Sequence, residues 1–213
     1  ILSIHNSTYN KYEGLKYVSI GDSITEQGMY QKYVTEELNL SHFINRGIGG
    51  CTLSDNQNVD QVPIINRYQT DIDADADIIT LYGGCNDFGQ NRLIDNADNK
   101  HDTTTVCGAL RTIIEWVYTN FPNKTFVVMN LIPNYFAERE PYDYKNTNGN
   151  TIKEYSDAIT KVCNEYSVPV ADLFSNCYIG KNNHTTMLGD GVHPTETGHR
   201  RIANILISKL KSI

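Results

Sequence analysis

The sequence lacks the features that mark several large classes of protein. No apolar run approaches the ~20 residues that a membrane-spanning helix needs. Positive charge is scarce, because 18 Lys and Arg face 25 Asp and Glu, which gives a net charge of −7 without a long basic run. Binding to phosphate backbones or anionic membranes requires clustered positive charge, so we expect no nucleic-acid partner and no membrane span.

Cysteine is also sparse, with five residues and no CxxC pair. At least one thiol is therefore free or pairs between chains, and a structural zinc site is not expected. The alternating acidic residues from Asp71 to Asp77 resemble the start of a calcium loop, but Ala76 stands where that loop requires glycine. We expect neither a metal nor another cofactor.

The length of 213 residues suits a single domain, which at this size needs no metal or disulfide to fold. Residues 1–13 show no periodicity and predict a linker or N-terminal extension before one domain over 14–213. The chain begins with Ile1 and shows no leader pattern, so we expect a mature form or part of a longer protein. We favour a secreted, cell-surface or virion-associated location over a cytoplasmic one. No sequence feature indicates the oligomeric state.

Short apolar runs alternate with helical patterns along the chain. The runs predict strands at 16–20, 42–45, 77–82, 125–132 and 168–172. Spacings of three and four residues predict helices at 106–117, 152–166 and around 202–210, with weaker patterns at 28–40 and 54–69. Pro194 suits the first position of the last helix. The last helix is expected to expose His199, Arg200 and Arg201. Continuous apolar strands alternating with helices predict an α/β fold: a three-layer α/β/α sandwich around a five-stranded parallel sheet.

The turns after the first three predicted strands carry residues that can do chemistry. Ser23, within Gly21-Asp22-Ser23, either caps a helix or exposes a nucleophilic hydroxyl beside backbone N–H groups. The glycines around Gly50 either make a tight turn or let the backbone approach a ligand. Asn86 either forms an Asx turn or aims its side-chain NH₂ into the crevice where such sheets bind ligands.

A fourth turn precedes the last predicted helix. Asp190 stands three residues before His193, with Gly191 between them. A carboxylate at this spacing can accept the imidazole Nδ1–H while Nε2 points away, as in the orienting half of a Ser-His-Asp triad. Taken alone, His193 also fits a solvated loop histidine.

Together the four turns resemble the sequence blocks of the SGNH hydrolases, or GDSL esterases, in the family's order. The resemblance implies the SGNH hydrolase fold, which is flavodoxin-like, and an esterase without a cofactor. It implies Ser23 as the nucleophile, His193 as the general base and Asp190 as the partner that orients the base. The Ser23 amide, Gly50 and Asn86 would form the oxyanion hole.

The turn after the first strand differs from two known motifs. Thr25 replaces the second glycine of a G-x-S-x-G elbow, so this elbow is absent. No GxGxxG follows the strand either, which argues against a nucleotide-binding protein.

The cysteines of these blocks leave an alternative open. Cys51 and Cys85 lie in adjoining turns and form either a disulfide or two packed thiols.

The segment 134–151 is a long polar loop rich in Tyr and Asn, and such loops are usually functional or mobile. Tyr135 and Tyr142 are predicted substrate contacts, because Tyr rings stack on sugars, or else they are ordinary rim residues. A polar loop favours a short acyl group, such as acetyl, on a carbohydrate or related polyol. The alternatives are a lysophospholipase or thioesterase of the same fold, and a non-catalytic carbohydrate-binding module.

Overall fold

A computed structural model describes residues 10–57 and 60–213 and contains a five-stranded sheet. All strands are parallel and follow the order β2-β1-β3-β4-β5. They are β1 (Lys16–Gly21), β2 (His42–Gly47), β3 (Ile78–Tyr82), β4 (Thr125–Met129) and β5 (Val170–Ala171). Every residue of β3 is buried, as expected for a strand covered on both faces. The predicted α/β fold with an all-parallel sheet is confirmed.

Helices cover both faces of the sheet. The described residues form α1 (Ser23–Glu26), α2 (Met29–Leu38), α3 (Tyr68–Asp71), α4 (Cys85–Gly89), α5 (Val106–Asn120), α6 (Ile152–Glu165), α7 (Leu173–Asn176), α8 (His184–Met187) and α9 (Glu196–Lys211). α2 packs against α9, and α5 packs against α6. Because crossovers between parallel strands are right-handed, this strand order puts the two pairs on opposite faces, which gives three layers.

The long helices begin at caps that their sequences provide. The Thr105 side chain accepts the Gly108 N–H at the start of α5. Thr151 and Glu154 form a reciprocal capping box at the start of α6. No helix among the described residues combines the length and apolarity required to cross a bilayer.

The C-terminal helix differs from the prediction at His199. α9 begins at Glu196, capped by Thr195, close to the start predicted at Pro194. His199 is completely buried, so its predicted exposure is wrong, whereas Arg200 and Arg201 are exposed. Position 199 lies on the same helical face as Ala203 and Leu206, and this spacing continues the apolar stripe backwards to the histidine.

Two further segments differ from their predictions. The described part of 54–69 contains only the 3₁₀ turn Ile64–Asn66 and the start of α3, because Asp87 binds the Leu53 and Ser54 amides and holds the chain out of a helix. Residues 58–59 lie outside the described residues. Of the predicted linker, residues 1–9 also lie outside them, but residues 11–14 form a turn. Tyr12 is buried there and donates to the Leu210 carbonyl of α9, so this turn packs onto the domain.

Candidate active site

The turn after β1 begins a short helix in which Ser23 is the first residue. The cap is Asp22, whose Oδ1 accepts the Ile24 N–H at 3.0 Å. Asp22 is 1% exposed, and burial raises the pKa of its carboxyl to about 7. Because Asp22 fills the capping position, the Ser23 hydroxyl is free to interact with a group across the turn.

That group is His193, which lies before α9. Ser23 Oγ is 2.8 Å from His193 Nε2, and His193 Nδ1 is 2.7 Å from Asp190 Oδ2. The other carboxylate oxygen accepts the N–H groups of Val192 and His193. Burial opposes ionisation of Asp190, but these hydrogen bonds outweigh it and lower the pKa of the carboxyl to about 2. An ionised Asp190 holds the Nδ1 proton and leaves the Nε2 lone pair facing the serine hydroxyl.

The Asp190–His193 turn depends on Gly191. Its φ is +84°, and a β-carbon there would lie 2.7 Å from the carbonyl carbon and oxygen of Tyr135. The Gly191 carbonyl accepts the Tyr135 N–H at 2.7 Å. Only glycine fits this conformation and this close approach, which joins the turn to the beginning of the long loop.

The turn after β2 lies beside Ser23. A β-carbon placed on Gly49 would be 3.8 Å from the Ser23 Cβ, and Gly50 has a φ of +75°. Neither the Ser23 amide nor the Gly50 amide donates a hydrogen bond to another residue that the structure describes. Asn86 Nδ2 donates one proton to the Cys51 carbonyl at 2.9 Å, which leaves the second proton of the amide for another acceptor. The arrangement therefore offers N–H donors next to a hydroxyl that a histidine can deprotonate.

Sequence reasoning missed three polar residues that hold these turns in place. Buried Arg67 donates to the carbonyls of Gly21, Arg46 and Val62 and so connects the ends of β1 and β2. Gln90 donates to the Gly50 carbonyl at 3.1 Å. The Asp87 carboxylate accepts the N–H groups of Leu53 and Ser54, just beyond the turn that holds Gly50. Except for the bond from Arg67 to Val62, these residues act on backbone groups more than twenty positions away, so no local pattern could have found them.

A cavity of about 280 Å³ opens at Ser23 and His193. Its walls are mostly apolar and come from α1, α4 and the long loop. Besides Ser23 and His193, its lining includes Ile24, Asn86, Phe88, Asn134, Phe136, Arg139, Glu140, Pro141, Tyr144, Ile152 and Val192.

The predicted substrate residues Tyr135 and Tyr142 are outside this lining. Tyr135 is 5% exposed, and its ring stacks on His184 at 4.5 Å between centroids. Tyr142 is 58% exposed and packs edge-on against Phe174. Their neighbours Phe136 and Tyr144 face the cavity instead, and the polar pattern of the loop gave no means of distinguishing these four aromatic residues.

All five cysteines are buried free thiols, so Cys51 and Cys85 are packed thiols here rather than a disulfide. Burial raises the pKa of the Cys51 thiol to about 11 and that of the Cys85 thiol to about 12. A thiol reacts as its thiolate, so neither cysteine competes with Ser23 as a nucleophile near neutral pH.

Comparisons with known proteins concern the family and the fold of the chain. The model of the GDSL-like Lipase/Acylhydrolase family matches residues 19–201. A solved structure from Lactobacillus plantarum is 26% identical, with a TM-score of 0.82 over 94% of this chain and 98% of its own. A possible lipase from Chitinophaga pinensis is 22% identical, with a TM-score of 0.73 over 93% and 98% of the two chains.

A third similar structure is a variant of an acetylxylan esterase from Geobacillus stearothermophilus. It is 18% identical, with a TM-score of 0.66 over 95% of this chain and 96% of its own, so the likeness concerns the fold. No curated protein sequence matches significantly. Since the family model covers most of the chain, including the turns that hold Ser23 and His193, the chain belongs to the GDSL-like Lipase/Acylhydrolase family and is a carboxylic ester hydrolase.

Proposed function

We propose that the protein is a serine esterase that removes a short acyl group, such as acetyl, from a carbohydrate or related polyol. The observation that carries the proposal is the continuous hydrogen-bonded chain from the Ser23 hydroxyl through His193 to Asp190. A serine hydroxyl is a weak nucleophile unless an adjacent base removes its proton, and this chain supplies the base and its orienting carboxylate.

In the proposed mechanism, His193 Nε2 takes the hydroxyl proton as Ser23 Oγ attacks the ester carbonyl. The resulting oxyanion accepts hydrogen bonds from the amides of Ser23 and Gly50 and from the remaining N–H of Asn86. His193 then gives its proton to the alkoxide, the carbon–oxygen bond breaks, and the alcohol leaves an acylated Ser23. A water molecule attacks this acyl-enzyme through the same steps, which releases the acid and restores the serine.

Cavity size and chemistry support a small substrate. A volume of about 280 Å³ lies just below the usual range of small-molecule sites, about 300–1,000 Å³, and leaves little room for a long acyl chain. Phe136 and Tyr144 provide aromatic walls on which a sugar ring can pack. The acetylxylan esterase among the similar structures acts, by its name, on an acetylated carbohydrate.

The decisive experiment combines active-site labelling with turnover. A fluorophosphonate probe should label the wild-type protein at Ser23, and the protein should hydrolyse p-nitrophenyl acetate faster than p-nitrophenyl palmitate. Ser23→Ala should abolish labelling and turnover while leaving the circular dichroism spectrum unchanged. The matched control is Ser208→Ala, because Ser208 lies exposed on α9.

Each part of the proposal has its own contrary result. Undiminished hydrolysis by Ser23→Ala would exclude the serine mechanism. Faster turnover of the palmitate ester would replace the short-acyl substrate with a lipid-like one. An unlabelled and inactive wild-type protein would favour a binding module.

A further inference from the structure

Arg139 is a cation on the cavity wall that lacks an anionic partner. Its guanidinium forms no hydrogen bond or ion pair with any residue in the described part of the chain. Of the two neighbouring acids, Glu140 also lines the cavity but pairs with Lys181 at 2.9 Å, and Glu138 lies 3.3 Å from His184. Arg139 is exposed, so its guanidinium is solvated rather than paired where it meets the cavity.

Aromatic contacts hold the Arg139 side chain in position. Its guanidinium carbon lies 4.2 Å from the centre of the Tyr144 ring and 5.8 Å from that of Phe136. Tyr144 packs edge-on against Phe88, a buried residue of α4 two positions after Asn86. Because none of the Arg139 N–H groups donates to a described residue, they remain available for a planar or tetrahedral anion.

The backbone beside Arg139 is strained. Ala137 and Glu138 have φ values of +54° and +58°, in the left-handed region that residues with a β-carbon rarely adopt. The loop starts from a fixed point, because Tyr135 binds the Gly191 carbonyl and stacks on His184. Strain of this kind is concentrated at functional sites, and here it lies between the two residues of this turn that line the cavity.

From these three observations we infer that Arg139 binds an anionic group, a carboxylate or a phosphate, on the alcohol portion of the ester. The inference rests on the proposed function and specifies the substrate class of the same cavity. The anion belongs to the alcohol portion because an acetyl group carries no charge. Ser23 and Arg139 both line this cavity of about 280 Å³, which is the size of one small substrate. A charge-assisted, two-pronged contact would then select charged sugars over neutral ones.

The test uses three acetyl esters that differ in charge: monoacetylated glucose, monoacetylated glucuronate and monoacetylated glucose 6-phosphate. Acetate release gives kcat/KM for each ester. We expect wild type to prefer one of the charged esters over the neutral one by about 10- to 100-fold, and the preference to shrink with added salt. The identity of the preferred ester distinguishes a carboxylate ligand from a phosphate ligand.

Arg139→Gln should abolish this preference, mainly through a higher KM for the charged ester. The matched control is Arg200→Gln. The guanidinium carbon of Arg200 also lies 4.2 Å from the centre of a tyrosine ring, but Arg200 pairs with Glu196 on α9 and is absent from the cavity lining. The control should retain the wild-type preference.

Equal kcat/KM values for all three esters in the wild type would overturn the inference and leave the proposed esterase intact. A charge preference that survives in Arg139→Gln would overturn it as well. If no ester is hydrolysed and the fluorophosphonate probe fails to label Ser23, the proposed function falls and the inference falls with it.

Discussion

Burial of His199 predicts a stability that depends on pH. His199 is fully buried in α9, and its Nε2 lies 2.7 Å from Gln27 Oε1, just beyond α1. Burial, with a smaller contribution from His193, lowers the pKa of the His199 imidazole from 6.5 to about 4. Between these two values the unfolded chain binds a proton that the folded chain does not. The free energy of unfolding therefore falls as the pH drops through this window.

The pKa shift sets the size of the effect. One pKa unit corresponds to about 1.4 kcal/mol, so the loss amounts to about 2 kcal/mol at pH 5 and about 3 kcal/mol once the pH is below 4. His199→Gln removes the titration and keeps an N–H that can donate to Gln27. Asp22 contributes with the opposite sign: its raised pKa stabilises the fold most at low pH, and this contribution is lost as the pH rises towards 7. Because both proteins contain Asp22, its contribution cancels in their comparison.

Denaturant unfolding at about pH 7.5 and pH 5 measures the difference. From the higher to the lower pH, we expect the wild type to lose about 2 kcal/mol more than His199→Gln. The control is His42→Gln, which replaces an exposed histidine of β2. Between the two pH values, its free energy of unfolding should fall by the same amount as that of the wild type. Equal losses in the wild type and His199→Gln would refute the reasoning, because His199 would then titrate alike in the folded and unfolded chains.

Three further substitutions test the site. Asn86→Ala should lower kcat for p-nitrophenyl acetate by about 10²–10³-fold, and an unchanged kcat would remove Asn86 from the oxyanion hole. Asp190→Asn should lower kcat by about 10³–10⁴-fold in the same assay, because the amide no longer stabilises the imidazolium, whereas a drop below tenfold would argue against an orienting carboxylate. Gly191→Ala should lower the free energy of unfolding by about 2–3 kcal/mol in denaturant titrations, since it adds a clash with the Tyr135 backbone to left-handed strain. Gly149→Ala, at a φ of +79° in open space, should lose only about 1 kcal/mol, and equal losses would show that the contact is unimportant.

Much of the fold was predictable because strand positions depend on local hydrophobicity. β1, β3 and β4 begin within one residue of their apolar runs. β5 shrinks from 168–172 to two residues, because it lies at the sheet edge and pairs only with the end of β4. The segment 54–69 carries a helical pattern, yet the carboxylate of Asp87 fixes its beginning. A bond from a residue more than thirty positions away has no trace in a local pattern.

The meeting of Ser23, His193 and Asp190 could be predicted from the resemblance, because their turns match the sequence blocks of the family. Only Ser23 directly follows a strand, at the carboxyl end of β1. Arg67 and Gln90 could not be predicted, since their partners are backbone carbonyls that only the folded chain brings near. The same limit applies to the loop. Its composition indicated aromatic contacts, but backbone geometry decides that Phe136 and Tyr144 face the cavity.

The hydrogen bond between Ser23 and His193 joins residues that are 170 positions apart. A chain emerging from a ribosome completes all five strands before His193 is synthesised, and α9 must then dock against α2, an early helix. The sheet can therefore assemble while Ser23 still lacks its proposed base, and contacts of such long range are formed slowly. Under the proposed mechanism, hydrolysis would begin only after α9 is in place. Activity would then report the docking of α9, and chains without that contact would carry an inert serine.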